Sequence, residues 1–502
     1  MKNILEYLES TSARLPDKTA FACEDTAMTF GEVRSGAARI GSGLLARGYG
    51  KEPVVILMNR HPRMITAFFG AVYGGCYYVP IDEEMPRFRV DLIFASLKPR
   101  VVITDADNAE TLKEMDFAGE VLLYEDLVRE EEDAARLSLV RRHQIDTDPI
   151  YIVFTSGSTG IPKGVIACHR SVIDYVEQLT SVLRVDETSV LANQTPLYFD
   201  ACLKELFSTL KCGATTWIVP RQLFRFPVKL VEYLNEHRVN TICWVVSALT
   251  IISSMNTFKT VKPEYLHTVA FGSEVFPIRQ FRRWREALPK ARFINLYGPT
   301  EATGMSCYFE VDRDFEEGEP IPIGRPFDNT DLFLLKEDGT AAGEGESGEM
   351  CIRGTAVTLG YYNNPERTAE AFVQNPLNPH YPEIIYKTGD LARYNSRGEL
   401  VFISRKDDQI KHMGHRIELG EIEARVNLIE EIASSCCVYD REKQKIVLFY
   451  KGEMDRGALL GRLKDLLPRY MLPNRIVQLD EMPYTENGKI NRKYLASQAS
   501  AG

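Results

Sequence analysis

The sequence predicts an α/β protein, and three observations lead to that class. Short apolar, β-branched runs alternate with helix-length segments through most of the chain. This order is typical of a mostly parallel sheet that helices cover on both faces. Two later runs, Asp331–Leu335 and Glu349–Arg353, are spaced like an antiparallel or barrel unit. After Arg405 the pattern changes to that of a compact α+β unit.

The predicted strands of the parallel part follow one another with a helix-length segment between them. They are Pro53–Met58, Cys76–Ile81, Arg100–Thr104, Thr215–Pro220, Asn240–Val246, His267–Gly272 and Ala291–Gly298. In the final unit, apolar residues spaced by three and four predict a helix over Ile417–Ile429. Two strands, Ser434–Tyr439 and Lys445–Tyr450, and a helix over Arg456–Leu467 complete it.

Composition excludes several classes of protein. The 502 residues carry a net charge of −10, so the chain lacks the excess positive charge that binding to a nucleic-acid backbone or an anionic membrane needs. Ten scattered cysteines and eight dispersed histidines indicate neither a disulfide framework nor a structural zinc site, and they favour a reducing cytoplasm. The N-terminus does not resemble a signal peptide. Two uncharged runs, 64–81 and 239–258, are interpreted as buried elements.

The strongest chemical signal is the segment Tyr151–Val165, YIVFTSGSTGIPKGV. An apolar strand runs into six hydroxyl-bearing and glycine residues, and a lysine follows. Glycines let backbone N–H groups converge on one point, which is how a loop holds phosphate. Because Pro162 precedes Lys163, the segment does not fit the P-loop pattern, which needs glycine before its lysine. The predicted phosphate-binding residues are Thr155, Ser156, Gly157, Ser158, Thr159, Gly160 and Lys163.

This loop resembles that of the adenylate-forming enzymes, and further motifs of the same superfamily follow in order. They are Asn295–Glu301 (NLYGPTE), Tyr386–Leu391 (YKTGDL), Arg405–Glu423 (RKDDQIKHMGHRIELGEIE) and Pro483–Arg492 (PYTENGKINR). The form of these motifs is similar to that of amino-acid-activating domains of nonribosomal peptide synthesis. The length is also similar to that of D-alanine–carrier protein ligases, although Gly272 stands where those enzymes have a cysteine.

The resemblance implies the architecture in more detail. It implies a large N-terminal AMP-binding domain over residues 1–406, built from two doubly wound βαβ subdomains and a small β-barrel. A small, mobile α+β lid would span residues 407–502, with its hinge at Asp407. In this family the lid alternates between two orientations. One presents Lys489 to the reacting groups, and the other presents Lys411 and Gly414 to a phosphopantetheine arm.

The resemblance also assigns residues to ATP and Mg²⁺, and no tightly bound prosthetic group is expected. Lys489 would bridge the nucleotide and the substrate carboxylate, Thr300 would donate to the α-phosphate, and Glu301 would bind Mg²⁺ as a hard oxygen ligand. Adenine and ribose would contact Gly272, Ser273, Glu274, Asn295, Leu296, Tyr297, Gly298, Asp390, Phe402 and Arg405.

The substrate pocket is predicted from the segment Phe199–Cys202, whose aspartate would bind an α-ammonium group. The predicted lining residues are Asp200, Ala201, Lys204, Trp244, Phe271, Leu296, Gly304 and Met305. Lys204 lies one helical turn after Asp200. It could pair with Asp200, be solvated, or pair with an acidic substrate side chain such as that of glutamate or aspartate.

We therefore expect an amino acid–carrier protein ligase with two half-reactions: formation of aminoacyl-AMP, then thioester transfer to a separate phosphopantetheinylated carrier protein. No carrier segment follows Leu495, so the acceptor is expected in trans. Two alternatives stay open: an acyl- or aryl-CoA synthetase, and a catalytically silent nucleotide-binding scaffold. The expected location is the cytoplasm, without a nucleic-acid or membrane partner.

Overall fold

A computed structural model describes residues 1–115, 117–157, 160–406, 409–485 and 490–501. Its strands are β1 (Thr19–Ala22), β2 (Ala27–Thr29), β3 (Pro53–Met58), β4 (Tyr77–Asp82), β5 (Val101–Thr104), β6 (Glu120–Leu123), β7 (Pro149–Thr155), β8 (Lys163–Cys168), β9 (Val190–Asn193), β10 (Thr215–Ile218), β11 (Thr241–Val245), β12 (Thr268–Gly272), β13 (Arg292–Tyr297), β14 (Cys307–Glu310), β15 (Arg325–Pro326), β16 (Thr330–Leu335), β17 (Ser347–Gly354), β18 (Phe372–Gln374), β19 (Ile384–Tyr394), β20 (Leu400–Arg405), β21 (Gln409–His412), β22 (His415–Glu418), β23 (Ile432–Asp440), β24 (Lys445–Gly452) and β25 (Arg475–Gln478).

The α-helices are α1 (Leu5–Arg14), α2 (Phe30–Ala46), α3 (Pro62–Tyr73), α4 (Arg87–Leu97), α5 (Ala109–Lys113), α6 (Tyr124–Leu127), α7 (Ala134–His143), α8 (His169–Leu183), α9 (Leu203–Cys212), α10 (Pro227–Glu236), α11 (Val246–Ser254), α12 (Ile278–Ala287), α13 (Pro365–Ala371), α14 (Leu419–Val426), α15 (Arg456–Leu466) and α16 (Arg492–Ala501). Short 3₁₀ helices span Asp200–Cys202, Arg221–Arg225, Thr257–Lys259, Thr300–Ala302 and Arg469–Met471. No helix among the described residues is both long enough and apolar enough to cross a membrane.

The internal contacts divide the chain into two compact units. The first comprises Met1–Glu83, Pro99–Val153 and Gly164–Ser404, and the second comprises Glu84–Lys98, Phe154–Lys163 and Arg405–Gly502. The second unit therefore includes α4 and the predicted phosphate loop as well as the C-terminal part of the chain. The predicted boundary between residues 406 and 407 stays a prediction, and the predicted hinge, Asp407, lies outside the described residues.

Three sheets organise the first unit. One sheet has the strand order β6-β5-β3-β4-β7-β8, with parallel pairing between β3, β4 and β5. A larger sheet has the order β15-β14-β13-β12-β11-β9-β10-β1-β2 and is parallel from β13 to β1. A third, antiparallel sheet joins β16, β17, β18, β19 and β20. These sheets confirm the predicted fold class: two parallel α/β sheets and a small antiparallel unit.

A single apolar core extends across the two parallel sheets of the first unit. It includes side chains of the first sheet, such as Ile56 and Tyr78, and of the second, such as Ile294. Helix α9 is buried in this core around its whole circumference, including its polar residues Lys204 and Glu205. A charged helix face that receives no water must satisfy its charges inside the protein or with a ligand.

The C-terminal part of the second unit has its own core, formed by α14, α15 and the sheet β23-β24-β25. The predicted helix over Ile417–Ile429 is shorter than expected and covers Leu419–Val426. The residues before it instead form the hairpin β21–β22, whose turn residues Met413 and Gly414 both have positive φ, 51° and 80°. Two consecutive residues of this kind build the tight turn that suits a two-residue hairpin loop.

Candidate active site

The predicted substrate pocket begins at Asp200, the first residue of the 3₁₀ helix that precedes α9. Burial raises the pKa of its carboxyl group; the nearby Thr300 hydroxyl opposes this rise, while the charge of Glu301 adds to it. Glu301 is itself fully buried. Asp200 is half-buried, and two carboxylates that repel each other are stabilised by a cation bound beside them. This part of the pocket therefore fits an ammonium group or a metal ion.

Lys204 lies one turn into α9, and only 2% of it is exposed to solvent. Burial opposes its charge, but the Cys243 thiol and the carboxylates of Glu205 and Asp200 outweigh this effect and raise the pKa of Lys204. Lys204 in turn opposes the rise that burial causes in the pKa of the Cys243 thiol, so the two groups lie near each other. Over the described part of the chain, no carboxylate oxygen lies within 4.0 Å of the Lys204 ammonium. Lys204 is thus neither a solvated lysine nor half of a direct ion pair with Asp200.

Glu205, the next residue, faces a buried polar network. Burial raises its pKa to about 7 against the opposing charge of Lys204. The Asn193 amide donates to its Oε2 at 3.3 Å, and Arg60 donates to the Asn193 side-chain oxygen at 2.6 Å. Its other oxygen, Oε1, has no hydrogen-bond partner among the described residues. Glu205 therefore adds a partly satisfied negative charge next to the buried lysine.

Two successive residues of β11, Cys243 and Trp244, pack in different apolar clusters. Cys243 lies near Lys204. Trp244, which the sequence predicted in the pocket, donates from its indole nitrogen to the Ala192 carbonyl at 2.7 Å and packs in a different apolar cluster. Phe271 belongs to that same cluster. Because successive side chains of a strand alternate between faces, Cys243 is the neighbour that sequence reasoning missed.

The remaining predicted pocket residues lie near this place in the first unit. A β-carbon at Gly304, where φ is +87°, would come within 3.3 Å of the Tyr175 ring, so glycine leaves room for that ring. The Tyr175 hydroxyl is buried and has no hydrogen-bond partner in the described residues. Met305 and Leu296 are buried in the core that contains Tyr175, and Ala201 is half-buried beside Asp200.

Thr300 and Glu301 form the short 3₁₀ helix that follows β13. The Tyr361 hydroxyl donates to Glu301 Oε1 at 2.8 Å, which holds the carboxylate in one orientation. Because the Glu301 and Asp200 carboxylates repel each other, a cation bound beside Glu301 would stabilise both. The residues thus fit Mg²⁺, which prefers carboxylate and phosphate oxygens.

The predicted nucleotide residues gather where β12 and β13 end. The Tyr297 hydroxyl donates to Asp390 Oδ2 at 2.5 Å, although the two residues are 93 positions apart in the chain. Burial, and after it the charge of Asp390, raises the pKa of Tyr297, so the hydroxyl stays a donor. Because the carboxyl ends of parallel strands are the usual ligand-binding edge of an α/β sheet, this pair is well placed for a nucleoside.

Other predicted nucleotide residues have structural partners. The Asn295 amide donates to the Pro322 carbonyl at 2.8 Å. Glu274 accepts from the Ser247 backbone N–H at 2.8 Å, and Ser273 has a positive φ of 69°. Neighbouring backbone packs closely against two glycines. A β-carbon added to Gly272 would lie 2.5 Å from a backbone oxygen, and one added to Gly298 would lie 2.1 Å from another. Phe402 is half-buried against the apolar cluster that contains Tyr297.

The predicted phosphate loop belongs to the second unit. Thr155 ends β7 and Lys163 begins β8. The loop turns sharply, with the Gly160 N–H donating to the Gly157 carbonyl at 2.8 Å. Ser156 is buried and donates from its hydroxyl to the Arg416 carbonyl at 2.6 Å. Ser158 and Thr159 lie outside the described residues.

The other predicted residues of the second unit are Arg405, Lys411 and Gly414. Arg405 ends β20 and is half-buried. Lys411 lies on β21 opposite Arg416, and Gly414 forms the adjoining turn. Lys489, the predicted catalytic lysine, lies outside the described residues, as does Asp407. The roles assigned to these residues stay predictions.

Comparison with known families gives one match that covers most of the chain: residues 8–362 match the family described as AMP-binding enzyme. The chain is 31% identical to zwittermicin A synthase ZmaJ of Bacillus cereus over 509 residues, which cover 98% of this chain and 94% of that protein. Other curated relatives are longer, and the chain spans between 6% and 45% of their length.

Solved structures show the same fold. The Vibrio cholerae adenylation domain AlmE, solved with glycyl-adenosine-5′-phosphate, superimposes with a TM-score of 0.86 at 21% identity and covers 100% of this chain and 98% of its own. NpsA-ThdA of Klebsiella oxytoca, an artificially fused adenylation–PCP di-domain, gives a TM-score of 0.84 at 22% identity, with 96% and 94% covered. At these identities the likeness concerns the fold alone.

Proposed function

Since this chain belongs to the AMP-binding enzyme family, we propose that it activates an amino acid and loads it onto a carrier protein. The chain is an adenylate-forming ligase of the type found in nonribosomal peptide synthesis. In the proposed first half-reaction, the amino acid carboxylate attacks the α-phosphate of ATP, and pyrophosphate leaves. In the second, a phosphopantetheine thiol takes the aminoacyl group and AMP leaves.

The observation that carries the amino acid assignment is the half-buried carboxylate of Asp200, which lies near the buried carboxylate of Glu301. Its pKa is raised by burial and by Glu301. An α-ammonium group offers the opposite charge that such a site requires, whereas a fatty or aryl acid offers only apolar surface there. Two carboxylates that repel each other, one of them fully buried, are costly without a cation, so the pocket favours an α-amino acid over those substrates.

The geometry also supports a site for nucleotide and metal. Asp390 would accept from ribose hydroxyls, and the Tyr297 ring would offer an apolar face to a purine. Glu301, oriented by Tyr361, would hold Mg²⁺. When bound, Mg²⁺ would offset the negative charge of the phosphates. Lys489 would supply the second cation that carboxylate attack on a phosphate needs.

Lys204 supports a proposal about the side chain of the substrate. Its buried ammonium forms no ion pair within the described residues, although Cys243, Glu205 and Asp200 raise its pKa. A carboxylate on the substrate would form the ion pair that the protein does not provide. We therefore assign an acidic amino acid, such as glutamate or aspartate, as the preferred substrate.

A panel of ATP–pyrophosphate exchange reactions tests the proposal. We expect exchange with amino acids, highest with the acidic ones. Exchange with fatty or aryl acids alone would instead identify an acyl- or aryl-CoA synthetase. Lys489→Ala should lower exchange by at least about 100-fold, because the variant lacks the cation beside the reacting groups. The matched control is Lys493→Ala, which removes an exposed lysine four residues later.

Transfer to a carrier requires its own measurement. The purified chain is incubated with ATP, the amino acid that supports exchange and a phosphopantetheinylated carrier protein, and the mass of the carrier is followed. A mass increase equal to the aminoacyl group supports a ligase that acts in trans. Exchange without any transfer to carriers or to coenzyme A would limit the function to adenylation, and a chain without exchange activity would be a silent scaffold. The expected cytoplasmic location also stays a proposal.

A further inference from the structure

Cys23, Asp25 and His61 bring three metal-binding atoms together in the first unit. Cys23 and Asp25 lie in the turn between β1 and β2, and His61 caps the N-terminus of α3. Cys23 Sγ donates to Asp25 Oδ1 at 3.0 Å, and His61 Nε2 lies 3.5 Å from that same oxygen. The three ligand atoms all lie within 4.8 Å of one another. Among the described residues, no second group of three His, Cys, Asp or Glu side chains is as compact.

These separations are close to those around a tetrahedral zinc ion. Zinc binds sulfur at about 2.3 Å and nitrogen or oxygen at about 2.0–2.2 Å, so neighbouring ligand atoms lie about 3.3–3.7 Å apart. The two separations to Asp25 Oδ1 differ from such values by about half an ångström or less. The sulfur of Cys23 and the nitrogen of His61 need to come at most about 1.3 Å closer. Side-chain rotation in the turn is enough for changes of this size.

The charges of the three groups also fit a divalent cation. The hydrogen bond from Cys23 lowers the pKa of the Asp25 carboxyl, so this group is ionised at neutral pH. Burial raises the pKa of the Cys23 thiol to about 11, so the thiol keeps its proton until a cation replaces it. A coordinated thiol is deprotonated by the metal, and its proton goes to solvent. One thiolate, one carboxylate and one neutral imidazole then balance the two positive charges of the ion.

His61 changes its tautomer when it binds a metal. Its Nδ1 accepts from the Arg63 backbone N–H at 3.1 Å, so the ring proton of the neutral imidazole lies on Nε2. Coordination through Nε2 moves this proton to Nδ1 and removes the cap hydrogen bond. The loss of one cap is small against the free energy with which thiolate sites bind zinc. Burial also lowers the pKa of His61, which keeps the ring neutral.

The exposure of the three side chains leaves one coordination position to water. The side chain of His61 is 18% exposed, whereas that of Asp25 is 76% exposed. A metal ion among these atoms lies between the packed imidazole and the surface, where a water molecule completes the tetrahedron. Three protein ligands and one water are a known zinc arrangement. Sequence spacing gives no sign of it, because His61 follows Asp25 by 36 positions.

We propose that Cys23, Asp25 and His61 bind one zinc ion, with water as the fourth ligand. The ion joins the β1–β2 turn to the start of α3 and stabilises the folded first unit. None of the three residues is assigned to the amino acid or to the nucleotide, so this site does not depend on the proposed function.

The test is zinc binding to the purified full chain, after a chelator has removed bound metal, by competition with a chromophoric zinc indicator. We expect one zinc ion per chain, with a dissociation constant on the order of 1 μM or below. Cobalt(II) gives a second measurement, because a cobalt–thiolate bond has a charge-transfer band in the near ultraviolet. Cys23→Ser should abolish this band and weaken zinc binding by at least about 100-fold.

His61→Asn removes the imidazole but keeps a helix cap, because asparagine is a favoured N-cap residue. It should weaken zinc binding to a similar degree. The matched controls are Cys212→Ser, at another half-buried cysteine, and His143→Asn, at an exposed histidine. Both should bind zinc as the unmodified chain does. Zinc should also raise the unfolding temperature of the unmodified chain but not that of Cys23→Ser.

Each outcome of these measurements decides the proposal. An unmodified chain that binds no zinc would overturn it, and so would zinc binding that persists at full strength in Cys23→Ser and His61→Asn. Unfolding temperatures measured without zinc show that both variants are folded. Amino-acid-dependent exchange reports on the proposed function separately: a chain that binds zinc but lacks exchange contradicts the function, whereas an active chain without zinc binding contradicts only the metal site.

Discussion

Two sets of buried charges, one in each unit, differ in how they are satisfied. In the first unit, Lys204 and Glu205 are neighbours on α9, and no carboxylate of the described residues comes within 4.0 Å of the lysine. In the second unit, Arg89 and Glu421 come from opposite ends of the chain and pair directly. A buried charge without a direct partner indicates a ligand, whereas one paired across distant segments indicates a conformation that can be gained or lost.

Removing the carboxylate of Asp200 should have the largest effect on the first set. Asp200→Ala deletes the anion that we assign to the substrate ammonium, and loss of one partner of an ion pair that the bound substrate shields from water costs about 3–5 kcal/mol. We expect kcat/KM for the amino acid to fall by about 1,000-fold in the exchange reaction. Binding of ATP alone should be unchanged. Nearly full activity in this variant would contradict the assignment of the ammonium site.

Substituting Lys204 should change selectivity more than total activity. Lys204→Met keeps the length of the side chain but removes its charge, so exchange with glutamate or aspartate should fall by about 100-fold. Exchange with uncharged amino acids of similar size should be maintained or increase. Lys211→Met, on the same helix but in a surface ion pair with Glu177, is the control and should leave selectivity as it is. Equal loss with all substrates would argue against the acidic assignment.

The charge of Glu205 should make stability depend on pH. Its pKa is about 7 in the folded chain and lower in the unfolded chain, so the folded state binds the proton more tightly. Stability conferred by the protonated form is present at acidic pH and is lost as the pH rises towards 7. Glu205→Gln should remove this slope and raise the free energy of unfolding at pH 8 by about 2 kcal/mol.

Urea unfolding at pH 5 and at pH 8 measures the effect of Glu205→Gln. A variant as sensitive to pH as the unmodified chain would show that folding does not raise the pKa of Glu205. Glu187→Gln serves as the control, because Glu187 pairs with Arg14 on the surface and about half of its side chain is exposed.

The smallest expected effects concern two neighbouring residues of β11, Cys243 and Trp244, whose substitutions should differ in their effect on substrate choice. Trp244→Phe removes the indole hydrogen bond to Ala192 and should cost about 1 kcal/mol of stability without altering the choice of amino acid. Cys243→Val replaces the thiol near Lys204 and should reduce the preference for acidic substrates about fivefold. Exchange panels for both variants decide which residue lines the pocket. A selectivity change in Trp244→Phe alone would favour the original sequence prediction.

Sequence motifs were informative where function depends on a short run of residues. The α/β class followed from the alternation of apolar strands with helix-length segments. The family followed from the glycine-rich loop and the segments around Tyr297 and Asp390, because each motif keeps its chemistry within a few positions. The uncharged runs were also interpreted correctly as buried elements, since they correspond to α3 with β4 and to β11 with α11.

Partnerships between distant segments could not be predicted. Nothing in the spacing of Arg89 and Glu421 indicates that they form an ion pair. The hydrogen bond from the Tyr361 hydroxyl to Glu301 could not be predicted from the sequence either. The sequence also could not predict which face of β11 each side chain occupies, because a continuous apolar strand has no alternation of polar and apolar residues that distinguishes its two faces. The start of α14 was placed too early because a hairpin and a helix share the apolar residues there.

The hydrogen bond between Tyr297 and Asp390 has a practical consequence. A phenol that donates to a carboxylate absorbs ultraviolet light differently from one that has lost that acceptor. A ribose bound to Asp390, as proposed, would therefore alter the absorption of Tyr297, and the difference spectrum between the unmodified chain and Tyr297→Phe would isolate this signal from that of the other tyrosines. The protein thus contains its own optical reporter for nucleotide occupancy, without an added dye.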